Sequence, residues 1–331
     1  MPEPVHPDRA DVQPPDDAQP TISSTVPVQA NSGMREYRFI TYESLEDDRI
    51  ARIMLNRPEV RNAQNRGLLT ELHDAFLRAE EDDAVRVVIL GGVGPLFSSG
   101  HDLGSAVHLA EIDEGPGQHP TRRINGGSRT ATEKRMLQEW HYFFENTLRW
   151  RNLRKITIAQ VQGPVFAAGL MLMWACDLIV AADDVTFADV VGTRLGMCGV
   201  EYFGHPWEFG PRRAKELLLT GDSMGVAEAH QIGMVNKVFK REVLEEATRA
   251  FAKRVAALPS MTALLIKESV NQSVDNMGFY NALNACFTLH ELNHAHWSEL
   301  SGGRTALGTT EHGLEDWRLS GGPHIRSVDV P

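Results

Sequence analysis

Ile156-Thr157-Ile158-Ala159-Gln160-Val161-Gln162-Gly163-Pro164-Val165-Phe166-Ala167-Ala168-Gly169-Leu170 is the stretch that decides the fold. A β-branched apolar run reads as a buried strand, Gly163-Pro164 stops it, and small residues then open an apolar helix over about 167–176. Leu178-Ile179-Val180-Ala181 follows as another strand. Working backward, a helix over about 132–152 precedes this unit, and Val85-Arg86-Val87-Val88-Ile89-Leu90 is a strand that stops at Gly91-Gly92. Leu68, Leu69, Leu72, Phe76 and Leu77 recur at three- and four-residue steps, with Thr70, Glu71 and Asp74 on the other face, so a helix lies between. Residues 37–42 and 50–55 read as paired strands. Working forward, helical patterns dominate from about 212, at 214–219, 227–232, 242–257 and 261–271, with one short strand at 235–239. Strand alternating with helix predicts an α/β body, here with a helical end.

The 331 residues are 42% hydrophobic, enough for a sizeable core. The formal net charge of -11, from 44 acidic against 33 basic residues, argues against nucleic-acid binding, which needs clustered basic side chains. Cys176, Cys198 and Cys286 are odd in number and far apart, so neither a disulfide framework nor a four-thiolate zinc site is expected, and a reducing cytoplasm fits. No apolar run reaches membrane-spanning length, and no secretory signal opens the chain. Residues 1–35 are rich in proline and acids and read as a flexible leader; residues 301–331 read as a Gly-rich tail. Between them the expected division is a 36–240 α/β core and a 241–300 helical region, with a loop over about 104–130 that could cover a site.

Five stretches, in order, carry a family resemblance. They are Leu55-Asn56-Arg57-Pro58-Glu59-Val60-Arg61-Asn62-Ala63; Phe97-Ser98-Ser99-Gly100-His101-Asp102-Leu103; the 161–170 segment with Cys176-Asp177-Leu178-Ile179-Val180-Ala181; Thr186-Phe187-Ala188-Asp189; and Leu218-Leu219-Thr220-Gly221-Asp222 with Ala227 and Gly233-Met234-Val235-Asn236-Lys237-Val238. Over roughly residues 36–275 the chain resembles the enoyl-coenzyme A hydratase/isomerase (crotonase) superfamily. The resemblance implies a crotonase-like α/β fold, a spiral of ββα units with a C-terminal helical trimerisation region, and a homotrimer or dimer of trimers. It implies an acyl-CoA thioester as substrate, with coenzyme A as part of that substrate and no separate cofactor or metal. CoA contacts fall on Glu59, Val60, Arg61, Ala63, Ser99, His101, Asp102 and Leu103, and the oxyanion donors on the main-chain amides of His101 and Ala168. The chemistry fits those positions. A thioester oxygen gains charge as an enolate forms, and fixed amides aimed at it lower the barrier by about 3 kcal/mol each. Gly100 permits a strained turn, and Ala167-Ala168-Gly169 at a helix start leaves amides unpaired and uncovered.

The sequence departs from the family at its two hydratase glutamates. Met171 stands at the first position and Val191 or Gly192 at the second, and none of these can move a proton. The replacement candidates are Glu201 first, then Asp189 and His205, with the His101 imidazole beside the thioester. Tyr202, Phe203 and Trp207 are expected to reshape the acyl pocket and to raise the proton affinity of Glu201. His205 could equally fix a turn, and Asp102 could orient the oxyanion loop or, preferably, cap the helix after it. Hydration or isomerisation, hydrolysis or carbon-carbon cleavage of a bulkier acyl-CoA, and CoA-ester binding without turnover all stay open.

One string competes. His290-Glu291-Leu292-Asn293-His294 fits the H-E-x-x-H pattern of zinc hydrolases, with Glu315 at a plausible distance for a third ligand. Its neighbours from Asn281 to Trp297 do not resemble a zinc-hydrolase scaffold, so His290, His294 and His296 are expected at an interface or surface.

Overall fold

The computed structural model describes residues 36–112 and 131–300; the leader, residues 113–130 of the expected loop, the Gly-rich tail and Glu315 lie outside the described residues. Six strands form the main sheet in the order β1-β2-β3-β4-β6-β9. These are β1 (Ile40–Leu45), β2 (Ile50–Leu55), β3 (Val87–Gly92), β4 (Ile156–Val161), β6 (Leu178–Ala182) and β9 (Lys237–Phe239). Only β1 runs antiparallel to its neighbour, β2; the others are parallel. Every residue of β3 and β4 is buried, as parallel strands covered on both faces require; β3 reads as an unbroken apolar run, and β4 as an apolar run that also buries Thr157 and Gln160.

A second, three-stranded sheet, β5-β7-β8, was not expected from the sequence. Its strands β5 (Pro164–Phe166), β7 (Thr186–Ala188) and β8 (Met224–Gly225) are two or three residues long, too short for alternation to register. This small sheet joins two of the family-like stretches, since β5 and β7 pair in parallel with Phe166 opposite Ala188.

Helix α1 (Arg66–Glu81) starts where the Asn65 side chain accepts the Leu68 amide, and it buries Leu68, Leu69, Leu72, Ala75, Phe76 and Ala79. Within the expected loop a short helix α2 (Ala106–Ile112) forms, and its buried Glu111 accepts from the Arg66 and Gly67 amides at the start of α1, where a carboxylate is favoured. The expected helix over 132–152 is interrupted: α3 (Ala131–Glu139) and α4 (Asn146–Arg151) flank a π-helical turn, Trp140–Glu145. Such a turn admits an extra residue and redirects the side chains around it. The remaining helices are α5 (Ala168–Trp174), α6 (Val191–Leu195), α7 (His205–Glu208), α8 (Pro211–Thr220), α9 (Val226–Gln231), α10 (Leu244–Ala256), α11 (Ser260–Asn276) and α12 (Phe279–Leu300). Helix α10 lies across β2, β3, β4 and β6, while α11 and α12 pack on each other and α12 also on α3. No described helix is long and apolar enough to cross a membrane.

Candidate active site

Two loops at the ends of the parallel strands meet at the site. In the first, which follows β3, the Gln64 amide donates to Gly100 O at 2.8 Å and the Asp102 amide donates to Gln64 O at 3.1 Å. A bridge of that kind turns the intervening residue the other way, so the His101 N–H faces away from Gln64. In the second loop Ala167 adopts φ 48° and ψ -121°, a conformation an L-residue rarely holds, and Ala168 follows as the first residue of α5. The first amides of a helix have no partner within it. Neither the His101 nor the Ala168 amide has an acceptor among the described residues.

The two loops touch closely enough to need their glycines. Gly100 sits at φ +95°, and a Cβ there would stand 3.0 Å from Phe166 O and 3.2 Å from the Ala168 nitrogen. A Cβ on Gly169 would reach 2.5 Å from Ser98 O. Gln64 locks the pair, its Nε2 donating to Ser98 Oγ at 3.1 Å and to Ala168 O at 3.0 Å. Candidate amides from distant parts of the chain are thus held by one buried side chain.

Arg57 and Asp102 form a second clamp. The Arg57 guanidinium, 2% exposed, donates through Nη1 to Asp102 Oδ2 at 2.8 Å and to Ala63 O at 2.6 Å. Asp102 Oδ1 accepts the Gly104 and Ser105 amides at 3.3 and 2.9 Å, and Oδ2 accepts the Ser105 hydroxyl. The expected cap on the helix is supplied by Ser105 instead, whose Oγ accepts the His108 amide at 3.2 Å, while Asp102 closes the turn before α2 and ties the loop to Arg57. Burial alone would raise its carboxyl, but Ser105, Arg57 and the Gly104 amide outweigh that and bring it down to about 2. Of the expected CoA contacts, Glu59 and Val60 lie on a 3-10 turn that ends at Arg61 in the left-handed region, and the Ser99 amide donates to Arg61 O at 3.1 Å. That bond brings the 59–63 and 99–103 segments together, with Glu59, Arg61 and Leu103 exposed and Ala63 buried.

Of the residues expected at the positions of the family's glutamates, Met171 and Val191 are buried apolar side chains, and Gly192, the alternative to Val191, has no side chain. Glu201, 4% exposed, approaches His101 instead, with Oε2 at 3.0 Å from His101 Nε2. The His101 ring stacks on Phe143 of the π turn at 3.7 Å between centroids, and its Nδ1 has no hydrogen-bond partner among the described residues. The expected rise in the proton affinity of Glu201 is not what the structure gives. Burial pushes it up, but His101 and His290 facing the carboxylate outweigh burial, so Glu201 is held below the ordinary range and ionised at neutral pH. The aromatic wall is also placed differently. Tyr202 and Trp207 pack on Phe279, and Phe203 on His205. Asp189 and His205 are both buried and pair at 2.9 Å, while Asp189 also accepts the Val191 and Val200 amides, which holds the 189–205 segment together.

His290 is not a surface residue. It is 3% exposed, donates Nδ1–H to Gly199 O at 2.9 Å, and directs Nε2 toward Glu139 and Glu201. Sequence reasoning missed Gln64, Arg57, Phe143 and Glu139. Gln64 and Arg57 carried one signal, as polar residues crowded directly after a buried strand; Phe143 and Glu139 carried none, because the π turn sets where they point. Two surface clefts of 470 and 320 Å³ open elsewhere, beside α1 and α4 and beside Arg241, without His101, Ala168 or Glu201 in their walls.

Comparison with known proteins bears on this site. The enoyl-CoA hydratase/isomerase family model matches residues 46–121 and 126–301. The chain is 64% identical over 292 residues to the Mycobacterium tuberculosis protein named "Putative enoyl-CoA hydratase EchA13", covering 88% of this chain and 91% of that one. It is 30% identical to a 4-chlorobenzoyl coenzyme A dehalogenase of Arthrobacter over 76% of this chain and 86% of the other. Among solved structures, a probable enoyl-CoA hydratase from Mycobacterium smegmatis superposes with a TM-score of 0.70 at 41% identity, covering 80% of this chain and 98% of that one.

Proposed function

Since this chain belongs to the enoyl-CoA hydratase/isomerase family of the crotonase superfamily, we propose that it catalyses proton transfer on an acyl-CoA thioester through an enolate, as an isomerase rather than a two-glutamate hydratase. The observation that carries this reading is the meeting of two amides, on His101 and Ala168, that have no acceptor among the described residues, with a part-buried His101–Glu201 pair. The thioester oxygen docks on the two amides. The ionised Glu201 takes a proton from the acyl α-carbon, the C–H electron pair moves into the carbonyl, and His101 holds the carboxyl that forms. Return of that proton to a different carbon of the conjugated enolate moves the double bond. Asp189 and His205 keep Glu201 in place by fixing the segment on either side of it. The CoA portion rests on the joined 59–63 and 99–103 segments. A homotrimer or dimer of trimers goes with this reading, supported by Met261, Leu265, Ile266 and Val270 of α11 and Leu289 and Leu292 of α12, large apolar side chains left exposed on one chain. A cytoplasmic location goes with it too.

The test is exchange of acyl α-protons with deuterated water, followed by NMR over a panel of enoyl, dienoyl and ring-bearing CoA esters. Exchange and double-bond migration are expected with at least one ester. Glu201→Gln should slow both by about 100-fold or more with KM little changed. Equal rates for the two proteins would remove the His101–Glu201 pair from the chemistry. Net hydrolysis or chain cleavage would replace isomerisation as the reaction, and tight binding with no exchange would make the protein a CoA-ester binder.

A further inference from the structure

The family reading leaves one buried cluster unused. On α12, His290 and His294 stand one turn apart on the same face, and the α3 residue Glu139 meets them across the helix packing. Glu139 Oε2 lies 2.9 Å from His294 Nε2 and 3.5 Å from His290 Nε2. Yet Glu139 Oε2 and His290 Nε2 both lack a hydrogen-bond partner among the described residues, so these approaches are close without being in line. The three candidate ligand atoms all fall within 4.8 Å of one another. Ligand atoms about 2.0–2.2 Å from a tetrahedral ion stand roughly 3.3–3.5 Å apart, so small side-chain adjustments suffice to admit one. The outer contact is also the one metal ligands use: Nδ1–H of His290 donates to Gly199 O, which leaves Nε2 facing the cluster. Glu139, Glu201 and Glu291 crowd the site; the groups facing them are His101, His290, His294 and Arg135.

We propose that Glu139, His290 and His294 form a binding site for one divalent transition-metal ion of the zinc type, next to the acyl site. The H-E-x-x-H string thus supplies two ligands, and Glu139 of α3 supplies the third. Two imidazoles and one carboxylate suit a borderline ion and leave a coordination position open. Glu201 Oε1, 3.7 Å from His290 Nε2, is the group beside that position, so occupancy alters the charge felt by the carboxylate paired with His101. The ion needs both imidazoles as neutral ligands, so it competes with protons for them. The proposal stands whatever reaction the acyl site performs.

The experiment uses the full chain, stripped with chelator, returned to metal-free buffer and titrated with Zn2+. Elemental analysis after dialysis should find about one zinc per chain, and affinity should rise with pH. Co2+ in place of Zn2+ should give the visible absorption of a four- or five-coordinate ion. Glu139→Gln and His294→Asn should each weaken Zn2+ by more than about 100-fold, beyond what loss of an outer partner costs. Their metal-free melting temperatures serve to show that both fold. Retention far below one zinc per chain, a six-coordinate Co2+ spectrum, or variants that bind as tightly as the parent would overturn the site; the wild-type stoichiometry and spectrum decide even if a variant fails to fold.

Discussion

Asp102→Asn tests whether the loop beneath the His101 amide is held by charge. The substitution keeps the shape and leaves one oxygen to accept the Gly104 and Ser105 amides, but it removes the negative partner of Arg57, whose guanidinium is buried 2.8 Å away. Breaking one side of a buried ion pair typically costs about 3–5 kcal/mol, because the remaining charge stays buried and uncompensated. At about 2–4 °C per kcal/mol, the melting temperature should fall by roughly 10 °C. If that loss is the stranded cation, removing it should give stability back. The double variant Arg57→Met with Asp102→Asn should melt higher than Asp102→Asn alone, although Arg57 also donates to Ala63 O and Ser105 Oγ. The pH dependence follows from the depressed carboxyl. Its ordinary value is 3.8 and its folded value about 2, so its stabilisation is full above 3.8 and lost as pH falls through about 2. The gap between wild type and Asp102→Asn should therefore be constant from pH 5 to 8 and close in acid. Melting curves that differ by less than about 2 °C at pH 7, or a double variant no better than the single, would refute the clamp.

Gly100→Ala should slow α-proton exchange by about 100-fold, since the new methyl would stand 3.2 Å from the Ala168 nitrogen and the residue sits at φ +95°; an unchanged rate would mean that these two loops do not form the oxyanion site. Glu208 is a half-buried carboxyl that burial pushes up to about 7 from 4.5. Because its folded value is raised, folding is penalised progressively as pH climbs from 4.5 through 7, so Glu208→Gln should stabilise the protein at pH 8 by about 2 kcal/mol, discounted for partial exposure, and by almost nothing at pH 4. Denaturant titrations at the two pH values check this, and equal gains at both would reject burial as the cause.

Much of the fold was legible because its central strands bury both faces. Val87 to Leu90 is wholly apolar and Ile156 to Val161 nearly so, with only Thr157 and Gln160 polar, so the strands announce themselves, and glycines at 100 and 169 mark where two loops must nearly touch. The strands of the small sheet escaped notice because two or three residues define no period. The H-E-x-x-H string was legible as a string, and its residues do share a helix face, but its chemistry depends on a partner that spacing along one helix does not show.

That partner is Glu139, some 150 residues earlier, and the π turn after it explains why. A regular helix through 132–152 gives every side chain a fixed direction, so Glu139 and Phe143 would follow one stripe, four residues apart. The π turn breaks that rule between them, and Phe143 stacks on His101 while Glu139 meets His290 and His294. A single irregular turn therefore serves both the acyl site and the candidate metal site. Glu201 stands between the two, touching His101 with one oxygen and nearing His290 with the other, so a charge gained or lost on either side is felt at the same carboxylate. An acid-base group held by two imidazoles is ionised by its surroundings rather than by its own loop, which is why the aromatic neighbours of Glu201 in sequence pointed the wrong way about its proton affinity.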